Sequence, residues 1–223
     1  GGGASAFNGW SKALPDHIEV CVFQLPGREE RLGEPFITDM SELVDAITAE
    51  VIAYPALPFA FLGHSMGAMI AYETARRMLG MEASQPRHVF LSARAAPDLQ
   101  DHSHPLRFLG DEAFLDRLHQ TYRAVPEPIR EDAKLRDIFL PILRADVELL
   151  ETHVDFSSEP LNCPITVLGG KDDAAITKAM LAGWQNRTLG RFKQYEFPGE
   201  HFYIDKEREA VISTILSDLA GNA

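Results

Sequence analysis

Short runs of apolar and β-branched residues alternate along this chain with longer stretches whose apolar positions recur every three or four residues. The short runs at 19–24, 59–62, 88–92, 165–168 and 194–197 read as strands, and their nearly unbroken apolar character suits strands covered on both faces. Helical spacing marks 40–54 through Leu43, Val44, Ile47 and Ile52. It also marks 66–79 through Met69, Ile70, Tyr72 and Met78, with Gly80 as a stop, and 208–219 through Val211, Ile212, Ile215, Leu216 and Leu219. The alternation predicts an α/β chain with a mainly parallel sheet and helices on both faces.

The rhythm fails between 95 and 162, too long a connection for one crossover helix. Within it, 111–123 carries Phe114, Leu115, Leu118 and Tyr122 on one side. A second helix is predicted over 131–154, kinked or divided at Pro141. The expectation is one domain over 1–223 with a helical lid inserted at about 98–155.

Composition narrows the function. With 21 Lys and Arg against 33 Asp and Glu, the formal charge of -12 disfavours nucleic acid and anionic lipid as partners. No apolar stretch approaches the length of a membrane span and no signal-peptide pattern is present, so the reading is a soluble, cytoplasmic protein; a monomer is expected. Cys21 and Cys163 lie in separate apolar runs and are expected to be core thiols.

Candidate chemistry begins at Gly63-His64-Ser65-Met66-Gly67, which sits between a predicted strand and a predicted helix. That is the context of the nucleophile elbow of α/β-hydrolases, where a strained strand-to-helix turn presents a serine. A serine hydroxyl needs a base to take its proton and an acid to orient the base, in the chain order Ser, Asp or Glu, His. Of the histidines after Ser65, His88 opens a strand and His102, His104, His119 and His153 fall in the insertion. His201, directly beyond the last strand, is therefore the base. The acid belongs at the carboxyl end of a strand. Strand 165–168 runs into Gly169-Gly-Lys-Asp172-Asp173, whereas the edge after Leu91 has no carboxylate before Asp98. Asp172 fits the Gly-x-x-Asp spacing and is preferred to Asp173, which reads as solvated or as a helix cap. The Met66 backbone N–H is expected to donate to the oxyanion, and no metal site is expected, because no carboxylate ladder surrounds the two aspartates.

Taken together, Gly1-Gly-Gly-Ala-Ser-Ala-Phe7 with Trp10, Leu25-Pro-Gly-Arg-Glu-Glu-Arg31, the elbow, Ser92-Ala-Arg-Ala-Ala-Pro97, Phe139-Leu-Pro-Ile-Leu-Arg-Ala-Asp146, Gly169-Gly-Lys-Asp172 and Gly199-Glu-His-Phe202 resemble the type II thioesterases of polyketide and nonribosomal peptide biosynthesis. The resemblance covers essentially the whole chain. It implies an α/β-hydrolase with a lid and a Ser65, Asp172, His201 triad. The implied activity is hydrolysis of acyl thioesters from the phosphopantetheine arm of acyl or peptidyl carrier proteins, with no cofactor of its own. At the front the family has an apolar strand ending in a His-Ala-Gly-Gly loop, of which only the last glycines are matched, so no second oxyanion donor is carried over. Because carrier proteins are usually acidic, docking calls for a local basic or apolar patch, with Arg76, Arg77, Arg94 and Arg107 as candidates. A serine carboxylesterase or lipase acting on oxygen esters, and an inactive hydrolase-fold binding module, remain open as alternatives.

Overall fold

A computed structural model describes residues 2–83, 85–100, 103–154 and 159–221. The strands β1 (Phe61–His64), β2 (Val89–Ser92), β3 (Ile165–Gly170) and β4 (Phe192–Phe197) form one parallel sheet in the order β1-β2-β3-β4. The helices are α1 (Trp10–Ala13), α2 (Met40–Ala53), α3 (Met66–Arg77), α4 (Asp111–Tyr122), α5 (Glu127–Glu131), α6 (Ala133–Thr152), α7 (Lys178–Ala182), α8 (Tyr203–Lys206) and α9 (Arg208–Ala220).

Strand alternation separates two cores. Val89, Leu91, Ile165 and Val167 face α2 and α3, where Leu43, Val44, Met69 and Tyr72 are buried with them. Phe90 and Leu168 face the other way, onto Trp10, Tyr203, Val211, Ile212 and Ile215 of α1, α8 and α9. Each fully buried aliphatic or aromatic side chain contributes about 1.5–3 kcal/mol through removal from water. The stripes on α2, α3 and α9 therefore hold these helices to the sheet far more firmly than intrinsic propensity does. Asp39 caps α2, its carboxylate accepting from Glu42 N–H at 2.9 Å.

A third cluster belongs to the long insertion. Phe114, Leu115 and Leu118 of α4 pack with Val125 and with Leu143 and Val147 of α6. Helix α6 runs through Pro141, so of the two outcomes expected there, a kink or a division, the helix is not divided. Pro141 is exposed, so the carbonyl that loses its helical partner can turn to water. The separate turn is α5, and Asp132 ends it by capping α6 through Lys134 N–H at 2.8 Å. His102 lies outside the described residues.

Two sequence expectations fail. Residues 19–24 enter no ladder, and Val22 and Phe23 are 40% and 42% exposed, so an apolar run alone does not make a strand where no neighbour pairs with it. For the same reason Cys21 is exposed, not a core thiol, while Cys163 is half-buried and burial pushes its thiol up to about 11. Among the described residues no helix is long and apolar enough to cross a membrane.

Candidate active site

The elbow forms where β1 passes into α3. Ser65 stands between them with φ 54 and ψ -114, held by its N–H donating to the Ser92 carbonyl at 2.8 Å. A non-glycine residue in this region is strained, and such strain persists only where surroundings enforce it. Gly63 is the enforcing neighbour: a Cβ there would run into the Gly67 carbonyl, whereas a Cβ on Gly67 itself would meet nothing within 4 Å. The two glycines thus have unequal roles, and the close approach of strand to helix depends on the first. Met66 is the first residue of α3, so its N–H has no acceptor within the helix and is available to an oxyanion.

His201 lies in the loop after β4 and is 2% exposed. Gly199, with φ +110, turns this loop back over the end of β3, where a Cβ on Gly170 would collide with the Gly199 and Glu200 carbonyls. Lys171 and Asp172 N–H groups donate to the carbonyls of Phe197 and Gly199 at 2.8 and 2.9 Å, joining the two loops. The result brings His201 Nε2 to 2.9 Å from Ser65 Oγ.

The carboxylate that meets the imidazole is that of Asp173, not Asp172. Asp173 Oδ2 lies 2.8 Å from His201 Nδ1, and both side chains are almost fully buried. Asp172 is exposed, and among the described residues its side chain meets only the Gly199 N–H, at 3.2 Å. The turn between β3 and α7 explains the reversal. Asp173 is neither solvated nor the cap of α7, whose N-cap is Thr177; its Oδ1 instead closes the preceding turn by accepting from Ala175 and Ile176 N–H at 2.9 and 3.1 Å. A carboxylate has two oxygens, so closing this turn and orienting an imidazole are compatible. Burial pushes the Asp173 carboxyl up, but the His201 bond and charge and the two backbone N–H groups outweigh it and hold it below the ordinary carboxylate value. With Nδ1–H donating to Asp173, Nε2 is free to accept the serine proton.

Around this triad is a shell that spacing did not reveal. His64 Nδ1 is 2.8 Å from Ser92 Oγ, which is 2.6 Å from Tyr203 Oη. Burial, with the nearby His201 charge adding to it, drops His64 to about 3, so it stands neutral beside the base. The ring of Tyr122, at the end of α4, lies 4.9 Å from that of His201. The remaining described histidines after Ser65 have structural partners: His88 meets Thr166, His119 the Val125 carbonyl, His153 Glu73 and His104 Ser103. Among the described residues no cluster suited to a metal ion occurs.

One cleft of about 2250 Å³ is lined by Gly2, Ser65, Met66, Arg94, Tyr122 and His201 and runs on past β1 towards Val22 and Phe23. The four arginines considered for docking do not make an exposed basic patch. Arg76 faces Glu73, Arg77 pairs with Asp45, Arg107 pairs with Glu151, and Arg94 is buried in the cleft. Two of the motifs that carry the resemblance, Leu25-Pro-Gly-Arg-Glu-Glu-Arg31 and Phe139-Leu-Pro-Ile-Leu-Arg-Ala-Asp146, meet instead. Arg28 grips Asp146 of α6 through two bonds of 2.6 and 3.1 Å and also donates to the Gly2 carbonyl.

Comparison with known proteins places this geometry. The thioesterase domain family model matches residues 1–219. The gramicidin S biosynthesis protein GrsT of Aneurinibacillus migulanus is 38% identical over 98% of this chain and 85% of its own length. The RedJ thioesterase of the prodiginine pathway in Streptomyces coelicolor superposes with a TM-score of 0.88 at 32% identity, over 96% of this chain and 80% of that one. BorB, a type II thioesterase from the borrelidin cluster, gives 0.86 at 32% identity over 97% and 87%.

Proposed function

This chain belongs to the thioesterase family, as a type II thioesterase of nonribosomal peptide and polyketide biosynthesis, and we propose that it hydrolyses acyl groups from the phosphopantetheine arm of carrier proteins in the cytoplasm. The observation that carries the assignment of roles is the continuous line from Ser65 Oγ to His201 Nε2 and from His201 Nδ1 to Asp173.

His201 takes the hydroxyl proton as Ser65 attacks the thioester carbonyl, and the oxyanion is stabilised by the Met66 N–H. Collapse breaks the carbon–sulfur bond; the departing thiolate carries the electron pair and receives the proton from His201. Water, deprotonated by the same imidazole, then attacks the acyl-serine, and the proton returns to Ser65 Oγ as the acid leaves. Asp173 keeps the imidazole in the required tautomer and stabilises its cation. A thioester suits this machinery because thiolate leaves readily and little general acid help is needed.

We read α4–α6, with their own apolar cluster, as the lid of a single domain, since α4 brings Tyr122 over His201. The test is steady-state hydrolysis of a panel of acyl groups loaded on carrier proteins, beside the matching free oxygen esters. Higher kcat/KM on carrier-bound thioesters is expected, with turnover lost in Ser65→Ala. Preference for the free esters would overturn the proposal.

A further inference from the structure

Ser92, the last residue of β2, has two holds on the nucleophile turn. Its carbonyl accepts the Ser65 N–H at 2.8 Å, and its Oγ lies 2.8 Å from Nδ1 of His64, the residue before the nucleophile. The same Oγ lies 2.6 Å from Tyr203 Oη. One buried hydroxyl therefore joins the end of β1 to the segment that follows His201.

Tyr203 is placed to transmit that contact. Its N–H donates to the Glu200 carbonyl at 3.0 Å, closing a turn whose first central residue is His201. Its ring stacks on Phe197, the last residue of β4, with 5.4 Å between centroids and 5° between planes. The His64 ring lies between the two loops, 5.4 Å from the ring of His201 and 6.1 Å from that of Tyr203. The turn that carries His201 is thus tied down twice, by the Gly199 carbonyl that accepts from Asp172 N–H and by the Tyr203 hydroxyl.

Packing of these rings would survive with phenylalanine at 203; what the hydroxyl adds is direction. A buried hydroxyl left without a partner is costly, so Tyr203 is held where it reaches Ser92, and Ser92 in the rotamer that also reaches His64. We propose that this His64–Ser92–Tyr203 bridge sets the nucleophile and the base against each other, with Ser92 and Tyr203 as positioning residues that act through Ser65 and His201. Neither Ser92 nor Tyr203 is among the residues that line the cleft, so the bridge bears on the alignment of the triad and not on substrate binding.

The inference rests on the reading of Ser65 and His201 as nucleophile and base, and its test separates the two. A fluorophosphonate reports on an activated serine without a thioester: Ser65 Oγ bonds phosphorus, fluoride leaves with its electron pair and His201 takes the proton. The labelling rate is measured for the unmodified chain, Tyr203→Phe, Ser92→Ala and the double variant, beside kcat and KM for an acyl-carrier substrate and a melting curve. Tyr195→Phe is the control, because it removes a hydroxyl that reaches Asp218 on α9 instead.

A misplacement of about 1 Å at a reacting group costs about a hundredfold in rate, so Tyr203→Phe and Ser92→Ala should each lower labelling and kcat about tenfold. KM should stay within about twofold, and Tyr195→Phe should label like the unmodified chain. Both substitutions open one link, so the double variant should be no slower than the slower single variant. Undiminished labelling and kcat in folded Ser92→Ala, or a change confined to KM, overturns the inference whether or not Tyr203→Phe folds. So do losses that multiply in full in the double variant. Absence of an adduct on Ser65 in the unmodified chain overturns the triad reading and this inference with it.

Discussion

Replacing Asp173 by Asn should abolish turnover while the same change at Asp172 should hardly be felt, although the two residues are neighbours in sequence. The carboxylate of Asp173 accepts from His201 Nδ1 at 2.8 Å and from two backbone N–H groups through its other oxygen. Asparagine has one acceptor oxygen, and the backbone N–H groups of Ala175 and Ile176 already claim it. Its NH2 group would then face His201, favouring the tautomer that carries hydrogen on Nε2, which cannot accept the serine proton. Loss of the orienting acid by this route costs about 10⁴ in kcat in serine hydrolases, or about 5 kcal/mol of barrier at 1.36 kcal/mol per decade.

Asp172 has one bond, to an exposed Gly199 N–H at 3.2 Å, which an asparagine oxygen can still accept. A surface change of this kind falls within about 0.5 kcal/mol, or about twofold in rate. The assay is steady-state hydrolysis of an acyl-carrier substrate by both variants, with circular dichroism and a melting curve to establish that each is folded. The reasoning is refuted if folded Asp172→Asn loses decades of kcat while Asp173→Asn retains it.

Two further outcomes concern the scaffold. Removing either member of the buried Arg28–Asp146 pair should lower unfolding free energy by about 3–5 kcal/mol, and the double alanine variant should cost clearly less than the two added together; additive losses in urea titrations would refute the coupling. Buried His64 and His88 resist protonation, titrating at about 3 and about 4 instead of 6.5. Between pH 6.5 and about 4 the unfolded chain therefore binds more protons, and stability should fall as acid is added by up to about 1.4 kcal/mol per pH unit for each histidine; a flat profile of urea midpoints from pH 7 to 5 would refute it.

What the sequence made legible was whatever depends on periodicity or on a locally determined turn. Four of the five apolar runs became strands, and the contact of Ser65 with His201 was legible because each sits in a loop adjoining a strand, where chain order and position leave little choice. The carboxylate that meets His201 lies one residue beyond the expected one for a different reason. Spacing brings both carboxylates to the rim of β3, but which of them turns inward is set by hydrogen bonds from residues 171 and 172 to the loop at 197–199, a tertiary fact with no local signature. The capping role that argued against Asp173 belongs to Thr177, while Asp173 closes the turn before α7 and still reaches His201. Arg94, a candidate for an exposed docking patch, is buried, and no local pattern of neighbours announces that burial. The pairing of the Pro-Gly-Arg and Arg-Ala-Asp motifs was hidden most deeply, since 118 residues separate Arg28 from Asp146. Their contact nonetheless ties helix α6 to the segment bearing Gly2 at the cleft wall. Two motifs with no chemistry of their own thereby fix where α6 stands relative to the cleft that holds Ser65.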